Sequence, residues 1–139
     1  MKIEPHQKHV VVIDRQDFWR GLSEEALRGE GFSVQVLDNY DYPPPGGYAG
    51  ERPPDLVILG CASIKRDERK LIQRVLEAHQ HLLVLCVSLP WPVMRSVFLA
   101  GADDVTDKTY DPARLVELVK DALGSLTPRD SYQAQYRKA

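Results

Sequence analysis

Along the chain the spacing of apolar residues alternates between two periods. Val10-Val11-Val12-Ile13 is a short β-branched run closed by Asp14, and it predicts a buried strand. From Asp17 to about Gly29 the apolar residues, Leu22 and Leu27 among them, return at helical spacing, and Gly29 and Gly31 stop that helix. Phe32 to Leu37 then alternates with a period of two, as a second strand does. Asn39 to Pro54 breaks the rhythm: five prolines and three glycines in sixteen residues exclude a regular helix there. Asp55-Leu56-Val57-Ile58-Leu59 predicts a third strand that ends in a loop at Gly60, followed by a helix from about Lys65 to His79 with Leu71, Ile72, Val75 and Leu76 on one face. Leu82 to Val87 is the continuous apolar run that a strand buried on both faces requires. A helix over Pro92 to Ala100, a short strand near Asp104 to Thr106 and a last helix complete the pattern. In that helix Asp111 suits the cap, Pro112 the first turn, and Leu115, Leu118, Val119 and Ala122 the buried stripe. Such alternation implies α/β architecture, a parallel sheet covered on both faces. The domain spans residues 9–124, with an N-terminal extension over 1–8 and a polar tail or linker over 125–139.

Composition narrows the function classes. With 139 residues, 43% hydrophobic and 27% charged, the chain fits one folded domain rather than a disordered one. A net charge of −2 supplies no basic field, which argues against direct nucleic-acid binding by this domain. No apolar run approaches the roughly 18 residues of a membrane span, and Met1 to Lys8 lacks the apolar stretch of a secretion signal, so a cytoplasmic address is expected. Cys61 and Cys86 have none of the spacings of a zinc site, and each closes an apolar run. Buried reduced thiols are the plain reading, a disulfide or redox pair between neighbouring strand ends the sharper one. His6, His9, His79 and His81 fall at the N-terminus or at a helix-to-strand junction, and His79 and His81 read as solvated loop residues rather than metal ligands. No nucleophile elbow, phosphate-binding loop or metalloprotease motif occurs, so no enzymatic activity and no cofactor are expected.

Two segments resemble the receiver domain of bacterial response regulators, the CheY-like family. Val10-Val11-Val12-Ile13-Asp14-Arg15, running directly into the first helix and then Gly31-Phe32, looks like a receiver's opening strand, acidic pair and first helix. Gly101-Ala102-Asp103-Asp104-Val105-Thr106-Asp107-Lys108-Thr109-Tyr110-Asp111-Pro112 is similar to the stretch that carries the family's lysine into its last helix. The resemblance implies a doubly wound, flavodoxin-like sheet of five parallel strands in the order 2-1-3-4-5, with the second helix replaced by the Pro/Gly-rich loop. It also implies the positions of the phosphorylation pocket. Asp14 keeps the first acid of a Mg²⁺-holding pair, but Arg15 stands in place of the second. Gly60 replaces the aspartate that accepts the phosphoryl group. Cys86 takes the place of the switching threonine or serine and Val105 that of the switching aromatic. Lys108 is kept, and Thr109 follows it where the family has proline, so a trans peptide is expected there. The chain thus reads as a pseudo-receiver without a metal, one that signals by protein contact independently of phosphorylation.

Four further expectations follow. Arg15 and Lys108 both lean on Asp14 in a fixed ion-pair cluster, or their surplus charge receives a small anion or nucleotide that gates the domain. The face that serves the family as partner or dimer surface, its fourth helix, fifth strand and fifth helix, here carries Trp91, Met94, Arg95, Phe98 and Arg114, residue types enriched at interface centres. Core packing is the competing reading for Trp91 and Phe98, as for Phe18 and Trp19. The loop with Tyr40, Tyr42 and Tyr48 among Pro43-Pro44-Pro45 reads either as an ordinary surface loop or as an extended strip for an aromatic groove. By family resemblance a regulator of transcription is a further context.

Overall fold

The computed structural model describes residues 7–124; His6, most of the N-terminal extension and the expected tail over 125–139 lie outside the described residues. Strands β1 (His9–Ile13), β2 (Ser33–Leu37), β3 (Leu56–Ser63), β4 (Leu82–Ser88) and β5 (Asp104–Asp107) alternate with helices α1 (Asp17–Gly29), α2 (Arg66–Glu77), α3 (Trp91–Ala100) and α4 (Pro112–Gly124). All neighbouring strands run parallel, in the order β2-β1-β3-β4-β5. Because successive side chains leave a strand on opposite faces, the sheet divides its apolar residues between two cores. Val10, Val12, Leu56 and Ile58 pack beneath α1 and α4 through Trp19, Leu27, Leu115 and Val119. Val11, Ile13, Val57 and Leu59 pack on the other face beneath α2 and α3 through Leu71, Val75 and Val97.

β3 is longer than its apolar run predicts. The strand continues through Gly60, Cys61 and Ala62 to Ser63, whereas β1 stops at Ile13, opposite Leu59. Pairing with β4 supplies the reason, since Cys61 aligns with Cys86 and Ser63 with Ser88. Gly60 therefore lies inside a strand, not in a loop.

Between β2 and β3 the backbone forms a single 3-10 turn, Ala49–Glu51. Its neighbouring tyrosines fill the space beside the sheet. Tyr40 and Tyr42 are buried members of the α2/α3 core and Tyr48 packs against it. The Tyr42 hydroxyl donates to Gln80 Oε1, Gln80 Nε2 donates to the Tyr48 hydroxyl at 3.0 Å, and Arg74 ties down the Tyr40 carbonyl at 2.7 Å. Burial pushes the Tyr40 and Tyr42 phenols well above their ordinary range, so both stay neutral. The reading of this loop as a displayed recognition strip is corrected: its rings face the core.

His9 is inside as well. It sits fully buried in β1, with Nδ1 3.1 Å from Ser33 Oγ, and burial lowers its pKa from the usual 6.5. The unfolded chain then binds a proton near pH 6.5 that the folded chain refuses, so His9 favours folding above that pH and this contribution fades as pH falls. Denaturation of His9→Gln from pH 7 to pH 5 is expected to show a smaller loss of stability than the parent chain does.

Candidate functional site

At the carboxyl end of the sheet, Asp14 and Lys108 meet across the first and last strands of the site. Lys108 Nζ lies 2.8 Å from Asp14 Oδ2, with the two side chains 3% and 4% exposed. The other carboxylate oxygen, Oδ1, accepts the Gln16 N–H at 2.8 Å, and Gln16 Oε1 receives Lys108 Nζ at 2.9 Å. Both oxygens of Asp14 are thus engaged by the chain itself. A buried pair of this kind is expensive to break, because removing either partner leaves an uncompensated charge.

Trp19 occupies the space beside this pair. α1 begins directly after β1, which brings the indole over the end of the sheet, where it is fully buried and donates Nε1–H to the Thr109 carbonyl at 2.8 Å. The Lys108 ammonium stands 4.9 Å from the ring centroid, within the range of a cation–π contact. Gly60 is what admits the ring. A Cβ at that position would lie 2.3 Å from Asp14 Oδ2 and 2.7 Å from Trp19 Cζ3. The glycine is therefore a packing requirement: the indole and the Asp14 carboxylate take the space a side chain would need. The sequence holds one signal for it, an isolated glycine within an apolar strand run, which marks close approach by another group.

Arg15 does not lean on Asp14, contrary to the clustered arrangement. Its guanidinium lies over the Tyr40 ring at 3.9 Å and reaches Asp67 at 3.7 Å, with both charged side chains more than half exposed. Asp14 is already paired with Lys108 and accepts from Gln16, and Tyr40 offers the guanidinium a flat ring instead. Arg15, Lys65, Tyr40, Ala62, Val87 and Tyr110 are among the residues that line a cleft of about 380 Å³ above the Asp14–Lys108 pair. Cys86 is fully buried below it, with Sγ donating to the Ser88 carbonyl at 3.2 Å, and Val105 is buried in the α2/α3 core. Cys61 and Cys86 are free thiols in register on adjacent strands; burial and the neighbouring Cys86 thiol push the Cys61 pKa up. That shift opposes thiolate chemistry. Tyr42-Pro43 is the only cis peptide among the described residues, so the bond before Thr109 is trans.

The five residues of the expected partner face divide. Met94 and Phe98 pack against the α2/α3 core, Trp91 is 57% exposed, and Arg95 is exposed on α3. Arg114, on α4, pairs with Glu117. Core packing is thus corrected for Trp91, while Phe18, 68% exposed, stacks on Tyr110 with centroids 6.3 Å apart. His81 is held too, with Nδ1 3.0 Å from the buried Asp103 carboxylate.

The order of strands and the placement of helices on both faces define the fold of a CheY-like response regulator receiver domain. Solved structures agree. A two-component response regulator from Clostridium difficile superposes with a TM-score of 0.73 at 16% identity, covering 87% of this chain and 99% of that one. A response regulator from Thermotoga maritima gives 0.70 at 22% identity, covering 86% and 99%, and a putative response regulator from Chloroflexus aurantiacus gives 0.68 at 24%, covering 85% and 98%. No family model and no curated protein matches the chain. Mg²⁺ belongs to the chemistry that the receiver resemblance implies, and it prefers carboxylates and waters. The donors here do not fit it. Asp14 and Glu68 are the two carboxylates that line the cleft; Asp14 is engaged by Lys108 and Gln16, Glu68 accepts the Lys65 N–H, and Gly60 adds none. Among the described residues no group of three or more His, Cys, Asp or Glu is placed to hold a metal ion, and no helix is long and apolar enough to cross a membrane.

Proposed function

We propose that this chain is a pseudo-receiver, a signalling module that works through protein contact without phosphorylation and without catalysis. The observation that carries the proposal is the contact set of Gly60: the site of the family's acceptor has no carboxylate, and a Cβ there would strike Trp19 and Asp14. The Asp14–Lys108 pair then holds the strand ends closed on each other. The gating of the domain by a small anion at Arg15 and Lys108 has less support, because Lys108 is committed to Asp14 and Arg15 lies apart over Tyr40.

The contact surface of this reading is α3, β5 and α4, which correspond to the family's fourth helix, fifth strand and fifth helix. β5 is an edge strand, and Trp91 and Arg95 stand exposed on α3. Whether the occupant is a second copy or another protein, the same face serves. Light scattering and affinity capture with the full chain test this. Capture or self-association is expected to be lost in Trp91→Ala and Arg95→Glu and to be indifferent to acetyl phosphate. Retention in both variants, or dependence on acetyl phosphate, contradicts the proposal.

A further inference from the structure

Among the described residues the exposed large apolar side chains are Phe18, Val87, Trp91 and Tyr110, at 68%, 59%, 57% and 46% exposure, and all four stand at the carboxyl ends of the strands. Val87 and Tyr110 form walls of the cleft, and Phe18 extends the apolar surface from Tyr110. Exposed aromatic surface gathered at one end of a molecule marks an interaction site rather than scattered surface chemistry.

The cleft also has a sign. Of its charged lining residues, Asp14 and Lys108 neutralise each other, and Glu68 is buried and spends Oε1 on the Lys65 N–H at 2.9 Å. The charges a visitor can reach are then Arg15 and Lys65, both positive, with Arg15 held by one long contact to exposed Asp67. Its floor offers backbone as well. Val57 turns its N–H to β4, donating to the His81 carbonyl at 2.9 Å, and by the alternation of a strand Ala62 turns its own N–H and C=O the opposite way. β1, which would pair there, has ended at Ile13, and Ala62 is exposed. A short strand edge is thereby open inside the cleft.

We propose that this cleft receives an extended acidic segment of a partner protein. Its carboxylates meet Arg15 and Lys65, its backbone pairs with Ala62 as an added strand, and an apolar side chain lies between Val87 and Tyr110. This site is separate from the α3–β5–α4 face and does not depend on Arg95 or Arg114.

The test uses the full chain labelled with ¹⁵N and a blocked peptide, acetyl-Glu-Asp-Leu-Phe-Asp-Glu-amide, with a lysine-for-acid analogue, inorganic phosphate and ATP as comparators. Amide shifts are expected at Ala62, Lys65 and Val87 with the acidic peptide, weakening as salt rises. Arg15→Glu with Lys65→Glu is expected to lower affinity about tenfold or more by setting like charges together. Ala62→Pro, which deletes the open N–H without changing charge, is expected to weaken binding too, and circular dichroism checks that both variants fold. Equal binding of the lysine analogue, or binding indifferent to both variants, overturns the proposal. So does displacement of the peptide by phosphate or ATP with the same shifts, which would make the cleft a small-anion site.

Discussion

Replacing Gly60 with alanine is expected to cost about 3 kcal/mol of folding stability, the upper part of the range for forcing extra volume into a packed interior. The added carbon would stand 2.3 Å from Asp14 Oδ2 and 2.7 Å from Trp19 Cζ3. Neither neighbour can retreat cheaply. Asp14 is pinned by Gln16 and Lys108, and the Trp19 indole is buried and bonded to Thr109. Gly60→Asp adds a carboxylate to the same collision and is expected to cost more while creating no phosphate acceptor. Guanidinium denaturation of Gly60→Ala, Trp19→Ala and the double variant isolates the contact. Trp19→Ala alone should cost about 3–5 kcal/mol through the cavity it leaves, and the Gly60→Ala penalty should shrink in its presence, since the ring it strikes is gone. A Gly60→Ala protein as stable as the parent would show that the indole does not occupy this space.

Lys108→Met is expected to cost about 3–5 kcal/mol, as removing one member of a buried ion pair does. The methionine keeps the volume of the side chain but leaves the Asp14 carboxylate uncompensated, with only the Gln16 N–H on Oδ1. Asp14→Asn combined with Lys108→Met removes the stranded charge, and this double variant is expected to regain much of the loss. Chemical denaturation reads both. Equal costs for the single and double variants would mean that the pair contributes packing rather than charge compensation.

Much of this architecture was legible in the sequence because burial on two faces leaves a strong trace. The continuous run from Leu82 and the helical stripe from Leu115 to Ala122 suit a covered parallel sheet, and Leu82 to Cys86 and the stripe are buried as their spacing implies, whereas Val87, which closes the run, is exposed. The Gly-Ala-Asp-Asp to Lys108 segment placed the last strand and its lysine. What the sequence did not reveal depends on neighbours distant along the chain. The continuation of β3 through Ser63 follows from pairing with β4, which no local signal encodes. Arg15 looked like a partner for Asp14 because the two are adjacent, yet Asp14 pairs with Lys108, 94 positions on, and accepts from Gln16. Tyr40 and Tyr42, set among prolines, read as surface residues, whereas they supply core volume beside the sheet. Gly60 was read as a loss of chemistry; its second meaning, room for Trp19, needed the two residues placed together.

Incubation of the full chain with acetyl phosphate and Mg²⁺, read by intact mass and by the amide spectrum, bears most directly on whether a filled pocket has replaced phosphoryl chemistry. An unchanged mass and superposable Asp14, Gly60 and Lys108 resonances are predicted. A mass gain of one phosphoryl group, or Mg²⁺-dependent movement of those three resonances, would contradict it.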